Sequence, residues 1–138
     1  MKNVRLAIIF YSVGGTNYQM AKWAKAGAEA AGAEVKLFKV EELAPQAVID
    51  GNEKWKSTVE ATKDIPVATS ADIEWADALI FSTPTRFGNM ASQMKQFMDI
   101  QGGIWSTGKT VNKVVSAMSS AKTLMVGKRQ QSFLFIQQ

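Results

Sequence analysis

The 138-residue sequence contains no cysteine and no histidine. The absence of cysteine excludes disulfides, thiolate metal sites and a cysteine nucleophile. The absence of histidine removes the Ser-His-Asp triad, the commonest general base and the commonest metal ligand. We therefore expect no metal site and no catalytic side chain. An enzyme built from this chain would need a bound cofactor to carry its chemistry.

Long hydrophobic runs are also missing from the sequence. The longest early run, residues 6–11, is too short to span a membrane as a helix, and no small-residue cleavage site follows it. We therefore expect a soluble, cytoplasmic protein with no integral membrane segment. The lack of cysteine is consistent with a reducing compartment.

A large excess of one charge sign is absent from most of the chain. Three of the 16 basic residues lie in the segment 122–138, which contains no acidic residue. Residues 1–121 contain the other 13 basic residues and all 12 acidic residues. The formal net charge of +4 therefore comes largely from the C-terminal segment. A nearly balanced charge over residues 1–121 gives little reason to expect a nucleic-acid partner.

The order of predicted elements indicates one α/β domain, which suits this length. Apolar patterning predicts strands at residues 6–11, 34–38, 78–82 and 111–118. Helices are predicted at residues 18–31, 52–62 and 91–100, with a further short helix capped by Thr69 and Asp72. Alternating strands and helices imply a doubly wound parallel sheet whose ligands bind beyond the carboxyl ends of its strands.

The first candidate loop joins the first strand to the first helix. Its residues are Ser12, Val13, Gly14, Gly15, Thr16 and Asn17. Small residues and hydroxyls before a helix N-terminus suit a phosphate group, because backbone N–H groups and the helix dipole favour an anion there. The loop lacks the lysine of a P-loop and the glycine spacing of a dinucleotide fingerprint. The alternative is an ordinary tight turn.

The second candidate loop, residues 83–89, follows the third predicted strand. Arg86 and Asn89 offer hydrogen-bond donors to carbonyl-like acceptors, and Phe87 offers a flat aromatic face. Pro84 stiffens the segment, and Gly88 lets a ligand approach the backbone. A well-ordered turn without a ligand remains the alternative.

Residues 103–110 match the Walker A pattern of nucleotide-binding proteins. That motif needs a strand before it and a helix after it. Here a predicted helix precedes it and a predicted strand follows it. We therefore interpret it as a chance match and expect no ATP or GTP site.

The segment Thr-Pro-Thr-Arg-Phe-Gly-Asn-Met at residues 83–90 carries a specific resemblance, together with Gly-Gly-Ile-Trp at residues 102–105. It resembles the flavodoxin-like NAD(P)H:quinone oxidoreductases of the WrbA type over roughly residues 4–121. The resemblance implies a flavodoxin-like α/β fold with a parallel sheet in the order 2-1-3-4-5. It also implies bound FMN, NAD(P)H as electron donor, a quinone substrate and a homo-oligomer, dimer or tetramer.

The resemblance also implies which residues form the FMN site. The phosphate would be held by the first loop, Ser12, Val13, Gly14, Gly15, Thr16 and Asn17. The ring would be lined by Pro84, Thr85, Arg86, Phe87, Gly88 and Asn89, with Ser119 and Ser120 forming a third loop. Trp105 would form an aromatic wall for the quinone or nicotinamide, although simple core packing is its alternative.

The resemblance stops after Ala121. We expect an incomplete FMN-binding domain at residues 1–121, with sheet order 2-1-3-4 and the family's fifth strand and last helix missing. Residues 122–138 would be a basic and apolar tail outside the family pattern, in which residues 132–136 could pair with the exposed fourth strand. Read one base earlier, permissible codons restore the family's Gly-Gly-Gln-Glu run. This predicts a frameshift, which sequencing the coding DNA would test.

Three functions are therefore open at this point. The first is an FMN-dependent transfer of two electrons from NAD(P)H to quinones. The second is a non-catalytic FMN carrier, which would not oxidise NAD(P)H with a quinone. The third is an inactive remnant, whose thermal unfolding FMN would not change.

Overall fold

A computed structural model describes residues 3–122 of the chain. The strands are β1 (Arg5–Phe10), β2 (Glu34–Lys39), β3 (Ala78–Arg86), β4 (Asn89–Met90) and β5 (Val114–Ser120). The helices are α1 (Thr16–Ala30), α2 (Gln46–Asp50), α3 (Glu53–Ala61), α4 (Ser70–Trp75), α5 (Ser92–Asp99) and α6 (Gly102–Ser106). The predicted fold class, an α/β chain with alternating strands and helices, is confirmed.

Four strands form a parallel sheet in the order β2-β1-β3-β5. This is the predicted order, with β5 as the fourth main strand. The short β4 pairs antiparallel with the end of β3. In this register Phe10 lies opposite Ser82, and Ser82 lies opposite Met118. The segments that follow β1 and β5 therefore meet at one edge of the sheet, beside the end of β3.

The central strand β1 is buried on both faces, as its continuous apolar run predicts. Ile8 and Phe10 pack with Ala21 of α1 on one face. Ala7 and Ile9 face a larger cluster on the other side, which includes residues of α4, α5 and α6. Helices on both faces thus fix β1 and the loop that follows it.

Two predicted strand boundaries are wrong, the start of the fourth strand and the end of the third. The fourth strand begins at Val114 instead of residue 111, because positive φ angles at Gly108 (73°) and Asn112 (63°) turn the chain first. Residues 83–86 continue β3 instead of forming a loop, because Thr85 and Arg86 pair with β4 in a hairpin. The five-residue helices α2 and α6 were not predicted, since so short a segment shows no helical period.

Helix ends follow the chemistry of the sequence. Gly32 has a φ of 89° just beyond α1, which favours glycine over other residues. At the start of α4 the carboxylate of Asp72 accepts hydrogen bonds from the backbone N–H and the hydroxyl of Thr69, each at 2.8 Å. This confirms the predicted capping box.

Within residues 3–122, β5 pairs with β3 alone. Val114 and Val115 are 71% and 41% exposed, in agreement with the predicted apolar edge. The predicted pairing of residues 132–136 with this edge lies outside the described residues, as do residues 123–138 of the predicted tail. No described helix combines the length and apolarity that a membrane span requires.

Removing the capping hydroxyl tests the start of α4. We expect Thr69→Ala to lower the free energy of unfolding by about 1 kcal/mol, because α4 loses its N-cap side chain. Urea unfolding would measure the change. The control is Ser57→Ala, an exposed position inside α3. Equal stability of Thr69→Ala and wild type would contradict the assigned cap.

Candidate functional site

A pocket of about 350 Å³ lies at the carboxyl ends of β1, β3 and β5. The first loop, the last residues of β3 and the end of β5 all contribute to its wall. Its lining residues are Ser12, Val13, Gly14, Thr16, Asn17, Pro84, Thr85, Arg86, Ser120, Ala121 and Lys122. The three predicted site segments therefore come together in one place.

The first loop reaches the pocket because Gly15 turns the chain into α1. Gly15 has a φ of 89°, a conformation that residues with a side chain rarely adopt. Its carbonyl accepts the hydrogen bond from the N–H of Gln19 at 2.9 Å and so begins the helix. The first N–H groups of α1 have no acceptor within the helix and are available to an anion at this end.

The hydroxyl of Ser12 is the one buried side-chain polar atom that lacks a hydrogen-bond partner among residues 3–122. Ser12 is 8% exposed and lines the pocket. Burying an unpaired hydroxyl is unfavourable, so such atoms in native proteins are few. A ligand that hydrogen-bonds to Ser12 would remove this cost.

Asn17 has a different environment from the rest of the loop. Its side chain is buried, and its Nδ2 donates to Oγ of Ser82 at 3.1 Å. Its Oδ1 accepts from Oγ of Ser120 at 2.5 Å. The side chains of Asn17 and Ser120 therefore hold the pocket together.

The remaining predicted residues lie on the hairpin of β3 and β4, and not all of them line the pocket. Phe87 and Gly88 form its turn with positive φ angles of 51° and 80°, and Phe87 is fully exposed. Arg86 lines the 350 Å³ pocket, and it also lines a second pocket of about 450 Å³ together with Asn89. The structure thus places Phe87, Gly88 and Asn89 outside the first pocket.

Three other predicted residues lie outside the lining, namely Gly15 at the turn into α1, Ser119 and Trp105. Ser119 forms a hydrogen bond with Thr85 at 3.0 Å between their hydroxyls, beside the pocket. Trp105 lies on α6 and is 68% exposed, so core packing is not its role. The Walker-like residues 103–110 begin in α6 and continue into the turns before β5. That is the helix-to-strand context predicted for them.

Sequence reasoning missed a cluster centred on Glu42. Its carboxylate accepts hydrogen bonds from the Tyr11 hydroxyl (3.1 Å), the Trp55 indole N–H (3.0 Å) and the Gln93 amide (2.8 Å). These partners come from three separate parts of the chain, so local sequence gives no sign of them. The one available signal was the position of Glu42, which lies three residues beyond β2, at the carboxyl end of that strand and on the same side of the sheet as the pocket.

The Tyr11 hydroxyl has an unusual electrostatic environment. Burial raises the pKa of Tyr11 above its ordinary value, and the adjacent negative charge of Glu42 and the hydrogen bond to it raise that pKa further. The positive charge of Arg86 acts in the opposite direction. Tyr11 is therefore a neutral hydrogen-bond donor in the native protein.

The fold, with its parallel strand order β2-β1-β3-β5, is that of flavodoxin-like proteins. The sequence model of the family described as NADPH-dependent FMN reductase matches residues 4–136, and the chain belongs to this family. This confirms the family prediction.

Similar solved structures include the flavodoxin, WrbA-like protein from Agrobacterium tumefaciens (TM-score 0.71, 23% identity), covering 98% of this chain and 71% of that one. A flavoprotein in complex with FMN from Lactobacillus acidophilus has a TM-score of 0.56 and 19% identity, covering 97% and 85%.

Two curated relatives are similar in sequence over most of this chain. An NAD(P)H dehydrogenase (quinone) from Deinococcus radiodurans is 57% identical over 125 residues, covering 91% of this chain and 62% of the relative. The protein of the same name from Aromatoleum aromaticum is 45% identical over 121 residues, covering 87% and 58%. The chain thus spans about 60% of the length of these relatives.

The environment of Tyr11 gives a prediction about alkaline pH. Above about pH 10, free tyrosine loses its proton, while Tyr11 in the native state retains it. The native state then binds more protons than the unfolded chain, so its stability falls as pH rises through this range. We expect Tyr11→Phe to lose less stability than wild type between pH 9 and pH 11.

Urea unfolding at a series of pH values would measure this difference. Tyr18→Phe is the matched control, because it removes the other tyrosine and retains Tyr11. If Tyr11→Phe lost as much stability with rising pH as wild type, the assigned environment of Tyr11 would be wrong.

Proposed function

We propose that the chain is the FMN-binding part of an oxidoreductase that transfers two electrons from NAD(P)H to a quinone. The observation that carries the proposal is the pocket in which residues 12–17, 84–86 and 120–122 converge beside the N-terminus of α1. Membership of the FMN reductase family and the names of the curated relatives support it. The chain spans about 60% of the length of those relatives. The whole reaction, from NAD(P)H to the quinone, is therefore proposed for this chain.

The first loop fits the phosphate of FMN. The N-terminus of α1 favours an anion, and Gly14 leaves the backbone open, since a Cβ there would meet no atom within 4 Å. The unpaired buried hydroxyl of Ser12 is a donor that a phosphate oxygen would satisfy. Thr16 adds a second hydroxyl at the exposed start of the helix.

The second and third segments fit the ring system of the cofactor. Pro84, Thr85 and Arg86 form one wall of the pocket, and Ser120 lies opposite on the neighbouring strand. We assign Ser119, Phe87, Gly88 and Asn89 to the rim around the ring. The guanidinium of Arg86 can donate to carbonyl oxygens of a flat heterocycle.

When bound, FMN supplies the redox chemistry that the side chains of this chain lack. The chain contributes binding and orientation, which agrees with the absence of histidine and cysteine. We further propose that Trp105 contacts the quinone or nicotinamide across a homo-oligomer contact, since its large side chain is exposed on α6. The proposed location is the cytoplasm, which the absence of cysteine supports.

A non-catalytic FMN carrier is the second candidate. The observation that favours it is the position of Trp105 outside the 350 Å³ pocket of the single chain. NAD(P)H oxidation in the presence of FMN and a quinone distinguishes the two, because a carrier binds FMN and does not catalyse this reaction.

The first test of the proposal is an FMN titration. We expect saturable quenching of flavin fluorescence, together with an increase in the thermal unfolding temperature, because FMN binds only the native state. At FMN concentrations of 100 times Kd the stabilisation would be about 2.7 kcal/mol. Riboflavin, which lacks the phosphate, is the control and should bind more weakly. Absence of both quenching and stabilisation would overturn the proposal.

The second test uses the hydroxyl of Ser12. We expect Ser12→Ala to weaken FMN binding roughly tenfold, the loss of about one charge-assisted hydrogen bond. Without FMN the variant should be as stable as wild type or slightly more stable, because an unpaired buried hydroxyl is removed. Ser106→Ala, an exposed serine of α6, is the control. Unchanged FMN affinity in Ser12→Ala would contradict the assigned role.

A further inference from the structure

Glu42 lies between β2 and α2, and its half-buried carboxylate accepts hydrogen bonds from four groups. Oε1 accepts from the Gln93 amide at 2.8 Å and from the backbone N–H of Ala44 at 2.9 Å. Oε2 accepts from the Trp55 indole N–H at 3.0 Å and the Tyr11 hydroxyl at 3.1 Å. Hydrogen bonds to an ionised acceptor are stronger than neutral ones, so these partners are firmly held.

Two of these partners lie next to the proposed FMN segments. Tyr11 directly precedes Ser12, the first residue of the phosphate loop. Gln93 lies in the first turn of α5, shortly after the hairpin that carries Arg86. A single carboxylate therefore connects the residue before the first segment to the helix after the second segment.

The arrangement of donors requires a carboxylate and not an amide. Each oxygen faces a group that can only donate, the indole N–H of Trp55 at Oε2 and the backbone N–H of Ala44 at Oε1. A glutamine at position 42 would point its own N–H groups at one of these donors in either orientation. Glu42→Gln therefore preserves shape while disrupting the contacts.

We propose that Glu42 is a positioning residue of the FMN site, which sets the spacing of the phosphate loop and the Arg86 hairpin by holding Tyr11 and Gln93. This rests on the proposed function. Glu42 lines neither the 350 Å³ pocket nor the wall assigned to the ring, so it acts through its partners.

The test compares the FMN dissociation constants of wild type and four variants by fluorescence quenching, with the unfolding temperature of each measured without FMN. We expect Glu42→Gln to bind FMN roughly tenfold more weakly than wild type, because the substitution displaces Tyr11 and Gln93 and so alters the spacing of the two FMN segments. Trp55→Phe alone should bind FMN as wild type does. The double variant Glu42→Gln/Trp55→Phe should recover most of the affinity, because no indole N–H then opposes the amide, which can donate to the Tyr11 oxygen.

Thr69→Ala is the control for general loss of stability, since the hydrogen bonds of the α4 cap join Thr69 and Asp72 to each other and do not involve Glu42. It should lower the unfolding temperature and leave FMN affinity unchanged. Wild-type affinity in Glu42→Gln, no recovery in the double variant, or an equal loss in Thr69→Ala would each overturn the role of Glu42. If wild type itself fails to bind FMN, the proposed function falls, whereas equal FMN affinity in wild type and Glu42→Gln overturns the inference alone.

Discussion

The buried side-chain amide of Asn17 connects the three segments on which the pocket depends. Its Nδ2 donates to Ser82 on β3, and its Oδ1 accepts from Ser120 on β5. Asn17 itself is the last residue of the first loop and lies in the first turn of α1. A buried amide without partners would be costly, so these three side chains stabilise one another and fix the ends of neighbouring strands relative to the helix.

This arrangement separates residues that build the pocket from groups available to a ligand. The side chains of Asn17 and Ser120 bond to each other, and those of Thr85 and Ser119 do the same. The groups available to a ligand include the Ser12 hydroxyl, which is buried and unpaired, and the first N–H groups of α1, which have no acceptor within the helix. Glu42 adds support from outside, where it holds Tyr11 beside the same loop.

The apolar runs of the sequence were sufficient to predict an alternating α/β chain, and the rule that parallel strands place their ligand loops at their carboxyl ends predicted the convergence of three segments. The strand order was implied by the resemblance to the WrbA-type oxidoreductases. The sequence was insufficient for the end of β3, where pairing with β4 turned a predicted loop into a hairpin. Side-chain pairing across the sheet depends on tertiary contacts, so the internal bonds of Asn17 could not be predicted. The cluster around Glu42 could not be predicted either, because its hydrogen-bond partners lie up to 51 residues away in the chain.

The most direct measurement is a comparison of backbone amide chemical shifts of the 15N-labelled protein with and without saturating FMN. The account predicts that the largest changes fall on residues 12–17, on Thr85 and Arg86, and on Ser119 and Ser120, with small changes in α4. Large changes confined to other parts of the chain, or none at all, would contradict the claim that these three segments form the FMN site.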